Sequence, residues 1–153
     1  MALKRYLMTL PELEDQIAVM MGGRAAEENV YDGVISTGAG DDLQRASELI
    51  RQMVMRFGMS GRLGHLTYGS PPSAQFLRFP FTPAERNFSE KTSEAIDDEV
   101  RCISDRLYLR AKTILTSRRS DLERIAHELI RKETLNRSQI ELLLLPKLTQ
   151  RPA

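Results

Sequence analysis

Apolar side chains recur three or four residues apart in three long stretches of the chain and in two shorter ones. In the stretch 36–58, the repeating positions are Leu43, Ala46, Ile50, Met53, Val54 and Phe57. In the stretch that begins near Thr9, they are Leu13, Ile17, Met20 or Met21, and Ala25. In the stretch 89–117, they are Ile96, Val100, Ile103, Leu107, Ala111 and Ile114. This spacing predicts helices that each bury one face.

The two shorter stretches have the same period, and all five carry recognisable end signals. One is expected to bury Leu122, Ile125, Ala126, Leu129 and Ile130, and the other runs from 136 to 145 before Pro146. N-caps are expected at Thr9, Thr37, Ser89, Ser120 and Asn136, because these side chains can bond the first free amides of a helix. Gly58 is expected to end the second helix.

The fold class that follows is all-α, mainly helical, with about five helices and a short strand element near residues 65–68. Residues 70–87 hold four prolines and three phenylalanines without helical period. Loops of this length are usually functional or mobile. The phenylalanines indicate that the loop packs on this domain or on a partner.

Composition narrows the class of protein. The 153 residues suit one domain, and 22 Lys and Arg against 21 Asp and Glu give no basic surface for nucleic acid. No apolar run approaches the roughly 20 residues of a membrane span, so no membrane contact is expected of this chain. The one cysteine, Cys102, is expected to pack beside its helix stripe. A soluble domain in a reducing compartment is the expectation.

Two adjacent acids begin the helix 36–58. At about 100° per residue, Asp41 falls roughly 170° from the centre of the apolar stripe, whereas Asp42 falls only about 70° from it. We therefore expect Asp41 to be solvated and Asp42 to lie at the shoulder of the buried face. Asp42 is then either a first-turn acid favoured by the helix dipole or a ligand or catalytic carboxylate.

Gly22 and Gly23 interrupt the first helix. Each costs roughly 1 kcal/mol against alanine inside a helix. They indicate either close approach by another backbone or a simple helix break. Arg24 and Glu28 follow at the spacing of an intrahelical ion pair.

No complete catalytic site is visible among these residues. His65 and His127 share no ligand spacing, and the sequence contains no H-E-x-x-H, phosphate-loop or G-x-S-x-G motif. A helix-turn-helix over 120–145 is disfavoured, because its last helix is mostly leucine and lacks a base-reading face.

Several motifs occur in an order and spacing that resemble one family. They are R-Y-L-M-T at 5–9, G-G-R-A-A-E-E at 22–28, S-T-G-A at 36–39 with Asp42-Leu43, F-G-M-S at 57–60 and L-T-Y-G at 66–69. The resemblance resumes at 86–90, 96–100, 111–116 and 133–135, so it covers nearly all of the chain. It is to the C-terminal peptidase domain of the FtsH-type ATP-dependent zinc metalloproteases.

The resemblance implies a zincin site. In the family, two histidines of an H-E-x-x-H helix bind zinc, the glutamate between them is the general base, and an aspartate after S-T-G-A is the third ligand. That aspartate corresponds to Asp42. Glu27 and Glu28 are similar to carboxylates near the metal, which orient a ligating histidine. Gly22 and Gly23 would then leave room for the active-site helix.

The resemblance also implies partners and a location. Family proteins assemble as rings of six, degrade unfolded or membrane proteins, and are membrane-anchored with this domain on the cytoplasmic or an equivalent side. A homo-oligomer is therefore expected, through the helix 89–117 and the loop 70–87. Protein substrates are expected only in the complete enzyme.

The chain departs from the family in lacking the H-E-x-x-H segment, which would precede Arg5. We expect a peptidase domain over 4–146 without that segment, followed by a tail at 147–153. Two zinc ligands and the catalytic glutamate are missing, so neither bound zinc nor peptidase activity is expected of these residues alone. Two functions remain open: the chain is part of a metalloendopeptidase, or it is a non-catalytic helical scaffold derived from the family.

Overall fold

The computed structural model describes residues 7–69 and 87–144. The helices of this part are α1 (Leu10–Val30), α2 (Gly40–Met55), α3 (Glu90–Ser117), α4 (Arg119–Lys132) and α5 (Arg137–Leu144). The predicted all-α class with about five helices is confirmed. The loop 70–86 and the tail 147–153 lie outside the described residues.

The chain divides into two compact units, Met1–Lys112 and Thr113–Ala153. The first contains α1, α2 and most of α3, and the second contains α4 and α5. The peptidase domain expected over 4–146 stays a prediction, because its limits depend on the resemblance and not on this division.

The first unit has an apolar core made by three helices. Its buried side chains are Leu13, Ile17, Met21 and Ala25 of α1, Ala46, Ile50, Met53 and Val54 of α2, and Ile96, Ile103, Leu107 and Ala111 of α3. Each was predicted from the apolar period. At the ends of two stripes, Phe57 and Ile114 are both 49% exposed, because each lies beyond the last buried turn of its stripe.

In the second unit, the predicted inward face is not buried. No residue of α4 or α5 is buried in the described structure. Leu129 and Ile130 of α4 are 44% and 82% exposed. The apolar period of α4 therefore predicts its helix correctly and overstates its burial: Leu122 and Ile125 are half-buried, and the other three predicted residues are exposed. A two-helix unit has little surface with which to cover that face.

The strand predicted near 65–68 is not formed. An isolated antiparallel bridge joins Ser60 and Gly64 instead, and the Tyr68 N–H donates to the Met55 carbonyl at 2.7 Å. Gly58 and Gly64 have left-handed φ values of +61° and +73°. These two residues turn the chain back onto the end of α2, so the segment pairs with a helix end and not with another strand.

Three of the five predicted N-caps are confirmed. The Glu12 carboxylate accepts from the Thr9 N–H and hydroxyl at 2.7 and 2.8 Å. Ser89 accepts from the Thr92 N–H at 3.2 Å. Asn136 accepts from the Gln139 N–H at 3.0 Å, and the Gln139 side chain accepts in return at 2.8 Å.

The caps predicted at Thr37 and Ser120 are wrong. The helix α2 begins later, after Ala39, because residues 36–39 form a separate turn. The helix α4 begins earlier, after Arg118, whose guanidinium pairs with Asp121 at 2.7 Å. The prediction that Cys102 packs is also wrong, since this thiol is exposed.

Ion pairs join α1 to α3 along their polar flanks. Arg106 pairs with Glu14 at 2.6 Å, and Arg110 pairs with Asp15 at 2.5 Å. These contacts hold the two helices in register beside the shared core. No helix in the described ranges is long and apolar enough to cross a membrane.

Candidate functional site

The site begins with Glu27, in the last turns of α1. Its carboxylate accepts from the Ser36 N–H at 3.2 Å and makes a short hydrogen bond with the Ser36 hydroxyl. Hydrogen bonds to an ionised acceptor are the stronger kind. The Ser36 hydroxyl is the main reason that the pKa of Glu27 lies below its ordinary value, so Glu27 is held as a carboxylate.

Residues 36–39, the S-T-G-A motif, form a compact turn that leads into α2; we call it the 36–39 turn. The Ser36 hydroxyl accepts from the Gly38 N–H at 3.1 Å, and the Thr37 carbonyl accepts from the Gly40 N–H at 3.0 Å. Ala39 is buried, with 5% of its surface exposed. The turn is therefore fixed by polar contacts at its start and by a buried methyl group at its end.

Both acids lie in the first turn of α2, and both are exposed. Asp41 lines an open groove of about 560 Å³ together with Gln16 and Met20 of α1, as expected of a solvated acid. Asp42 was expected at the shoulder of a buried face, but it lies a full turn before Ala46, the first buried residue of α2. Within the described ranges, the Asp42 carboxylate is exposed and forms no hydrogen bond or ion pair.

Gly22 and Gly23 lie in the middle of α1, which continues through them without a break. A Cβ built at either position meets no atom within 4 Å. The simple helix break is therefore excluded, and the close neighbour that would explain the glycines is not among the described residues.

Glu28 faces α3. Its carboxylate accepts from the Tyr108 hydroxyl at 2.6 Å and from the Lys112 ammonium at 2.5 Å. The bond from Lys112 is the main cause that lowers the pKa of Glu28. The expected ion pair between Arg24 and Glu28 is not formed; Glu28 pairs with Lys112 instead.

The pKa of Tyr108 is shifted in the opposite direction, upward. Burial, and then its bond to Glu28, raise the pKa of the phenol from 10.0 to about 12. Its hydroxyl is therefore a stable donor that ties the end of α1 to α3. Sequence reasoning missed Tyr108 and Lys112. Their spacing of four residues, beside the buried Leu107 and Ala111, was the signal that could have found them.

The described residues offer one candidate zinc ligand and not a complete site. No group of three or more His, Cys, Asp or Glu side chains within 7–69 and 87–144 is arranged to hold a metal. His65 lies in the turn after α2, and His127 lies on α4, where its Nδ1 contacts the Glu123 carbonyl at 2.7 Å. Within the described ranges, neither histidine belongs to a group that could hold a metal.

Comparison with known proteins places the chain in a family. The family model "Peptidase family M41" matches residues 3–143. The chain is 45% identical over 141 residues to the ATP-dependent zinc metalloprotease FtsH of Bacillus subtilis (strain 168), covering 92% of the chain and 22% of that relative.

Other relatives give the same result. The chain is 44% identical to the FtsH protein of Pseudothermotoga lettingae over 140 residues, 92% of the chain and 22% of that relative. It is 40% identical to the FtsH protein of Ralstonia pickettii over 149 residues, 97% of the chain and 21% of that relative. The chain thus spans about a fifth of the length of these curated relatives. Because the family model covers nearly all of its residues, the chain belongs to Peptidase family M41.

Proposed function

We propose that this chain is part of the peptidase domain of an ATP-dependent zinc metalloendopeptidase, and that Asp42 is its ligand to zinc. The observation that carries the proposal is the match over residues 3–143 to a peptidase family whose relatives are named zinc metalloproteases. The 36–39 turn supports it, because it presents Asp42 on an exposed first turn.

Asp42 fits the part of one zinc ligand. Carboxylate oxygens are common zinc donors, and this carboxylate is exposed and has no partner among the described residues. When bound, zinc would polarise the peptide carbonyl and make a bound water more acidic. Catalytic zinc sites usually have three protein ligands. The other two, and the general base, would come from an H-E-x-x-H segment that these 153 residues do not contain.

Four other residues would support the zinc site without binding the metal. Glu27, which already holds the 36–39 turn, has lone pairs left with which to orient a ligating histidine. Glu28 would act indirectly, by fixing the end of α1 against α3 through its bonds to Tyr108 and Lys112. Gly22 and Gly23 leave open space along α1, into which the histidine-bearing helix would pack.

The complete enzyme would act on protein substrates and would assemble as a ring of identical subunits. Exposed apolar side chains support self-association, and they include Leu109 of α3 at 62% and Leu142 of α5 at 69%. In that enzyme the domain would lie on the cytoplasmic or an equivalent side of a membrane. Zinc is not expected on the isolated 153 residues.

A chimera tests the proposal. Residues 3–143 of this chain replace the matching segment of the Bacillus subtilis relative, which brings its own upstream segment and ATPase. The chimera is expected to bind zinc and to cleave casein in the presence of ATP, with cleavage blocked by a chelator. The isolated 153-residue chain is the control and is expected to do neither.

The second candidate is a non-catalytic scaffold, and the exposed face of α4 favours it. Ile130 is 82% exposed on a helix that buries none of its residues, which suits a surface for another copy of the chain. A chimera that assembles to the same oligomeric size as the parent enzyme but neither binds zinc nor cleaves casein would favour the scaffold over the peptidase.

A further inference from the structure

The contact between Glu27 and Ser36 lies at the entrance to α2. It joins the end of α1 to a residue nine positions later, across the exposed segment 31–35. Glu27 accepts there from both the N–H and the hydroxyl of Ser36. One carboxylate therefore fixes both the backbone and the side chain of the first residue of the 36–39 turn.

Ser36 also fixes the residues that follow it in the turn. Its hydroxyl accepts from the Gly38 N–H at 3.1 Å while it bonds to Glu27. A Cβ built on Gly38 would lie 3.2 Å from the Ser36 hydroxyl oxygen and 3.7 Å from the Glu27 carboxylate. The backbone at Gly38 thus packs directly onto the bonded pair, so the pair determines where the turn runs.

The 36–39 turn determines where α2 begins. Thr37 accepts from the Gly40 N–H, and Ala39 accepts from the Leu43 N–H, both at 3.0 Å. Asp42 lies between these two bonded amides in the first turn. In α2 itself, no side-chain cap bond holds the N-terminal residue. The start of the helix depends on the turn that precedes it.

We infer that Glu27 and Ser36 act as a positioning pair that fixes the first turn of α2 and, through it, the direction of the Asp42 carboxylate. The pair does not touch the metal through Ser36. It acts by holding the backbone that carries the ligand. Only the claim that Asp42 binds zinc rests on the proposed function. The pairing of Glu27 with Ser36 rests on the hydrogen bonds described above.

Three variants test the pair. Ser36→Ala removes the hydroxyl that bonds Glu27 and Gly38, and Ser36→Thr keeps a hydroxyl. Ser47→Ala is the matched control, because Ser47 lies on α2 and donates to the Leu43 carbonyl at 2.8 Å away from the turn. Each variant is made in the 153-residue chain and in the chimera.

The first measurement is amide hydrogen exchange of the 153-residue chain, which needs no zinc. Ser36→Ala is expected to speed exchange of the Gly38 and Gly40 amides, while Ser36→Thr and Ser47→Ala leave both near their parent rates. Unchanged exchange in Ser36→Ala would overturn the role of the pair in the turn.

The second measurement is the zinc Kd of the chimera. Ser36→Ala is expected to raise Kd roughly tenfold, the lower range for loss of an outer partner, and Ser36→Thr is expected to restore it. A Kd equal to that of Ser47→Ala would overturn the inference. Asp42→Asn, made in parallel, separates the two claims. If Asp42→Asn leaves the zinc Kd unchanged, Asp42 is not the zinc ligand. The exchange measurement then still tests whether Glu27 and Ser36 fix the 36–39 turn.

Discussion

At the scale of single residues, two neighbouring glutamates have separate tasks. Glu27 turns toward the 36–39 turn, and Glu28 turns toward Tyr108 and Lys112 of α3. Adjacent helix positions point about 100° apart, which explains how one dipeptide bonds two different elements. The G-G-R-A-A-E-E motif therefore connects α1 both to the start of α2 and to α3.

Tyr108 provides a prediction for alkaline pH. Its pKa is raised to about 12, so the folded chain holds the phenol proton more tightly than the unfolded chain, whose value is 10.0. This contribution to stability is complete below pH 10 and is lost as the pH rises toward 12. Urea unfolding from pH 9 to 12 should therefore give a steeper loss of unfolding free energy in the parent chain than in Tyr108→Phe.

The control for this prediction is Tyr31→Phe, at a tyrosine that is 63% exposed. It should keep the alkaline slope of the parent. At neutral pH, Tyr108→Phe should lower the unfolding free energy by about 1.5 kcal/mol, the lower end of the range for a hydrogen bond to a charged partner. Equal slopes in the parent and Tyr108→Phe would show that the Tyr108–Glu28 bond does not persist in solution.

At the scale of elements, the glycines of α1 show where stability and function diverge. Alanine is favoured over glycine inside a helix by about 0.8–1 kcal/mol, and a Cβ at Gly22 or Gly23 meets no atom within 4 Å. Each change to alanine should therefore raise the unfolding free energy of the 153-residue chain by about that amount. In the chimera, the same changes should weaken zinc binding if a helix packs there.

Gly58→Ala is the control for the glycine prediction. Gly58 has a φ of +61°, and a Cβ there would lie 3.4 Å from the His65 backbone, so this change should destabilise the chain. The prediction concerns thermal or urea unfolding of all three variants side by side. A loss of stability in Gly22→Ala or Gly23→Ala would contradict the open space along α1.

The same elements show how far the sequence alone can lead. Periodicity identified every buried residue of α1, α2 and α3, because burial in a helix repeats with the helical turn. It failed at Thr37, because the Glu27 carboxylate bonds Ser36, nine residues later, and holds the chain in a turn that delays the helix. It also missed Tyr108, because its partner Glu28 lies 80 residues earlier and only the spacing of Tyr108 and Lys112 pointed to a shared contact.

Asp42 illustrates the same limit at the candidate site. The helical wheel separated it from Asp41, but it could not tell that α2 begins only two residues earlier. A carboxylate so near the helix end remains exposed whatever its angle to the stripe. Its assignment as a ligand came from the resemblance, and the structure adds the turn that carries it.

At the scale of the whole molecule, the chain combines a well-packed first unit with a second unit that buries none of its helical residues. The first carries Asp42, its supporting turn and the open face of α1. The chain also spans only about a fifth of its relatives. Under the proposed function, the chain is the part of a peptidase domain that would contribute one zinc ligand and the scaffold around it.

The most direct test of this account is a zinc titration of the chimera carrying Asp42→Asn beside one carrying Asp41→Asn. The two changes remove the same charge from neighbouring exposed positions of one helix turn. Asp42→Asn should raise the zinc Kd by more than the roughly 10–100-fold that outer partners contribute. Asp41→Asn should leave it unchanged. Equal effects of the two changes, or a larger effect of Asp41→Asn, would contradict the assignment of Asp42 as the zinc ligand.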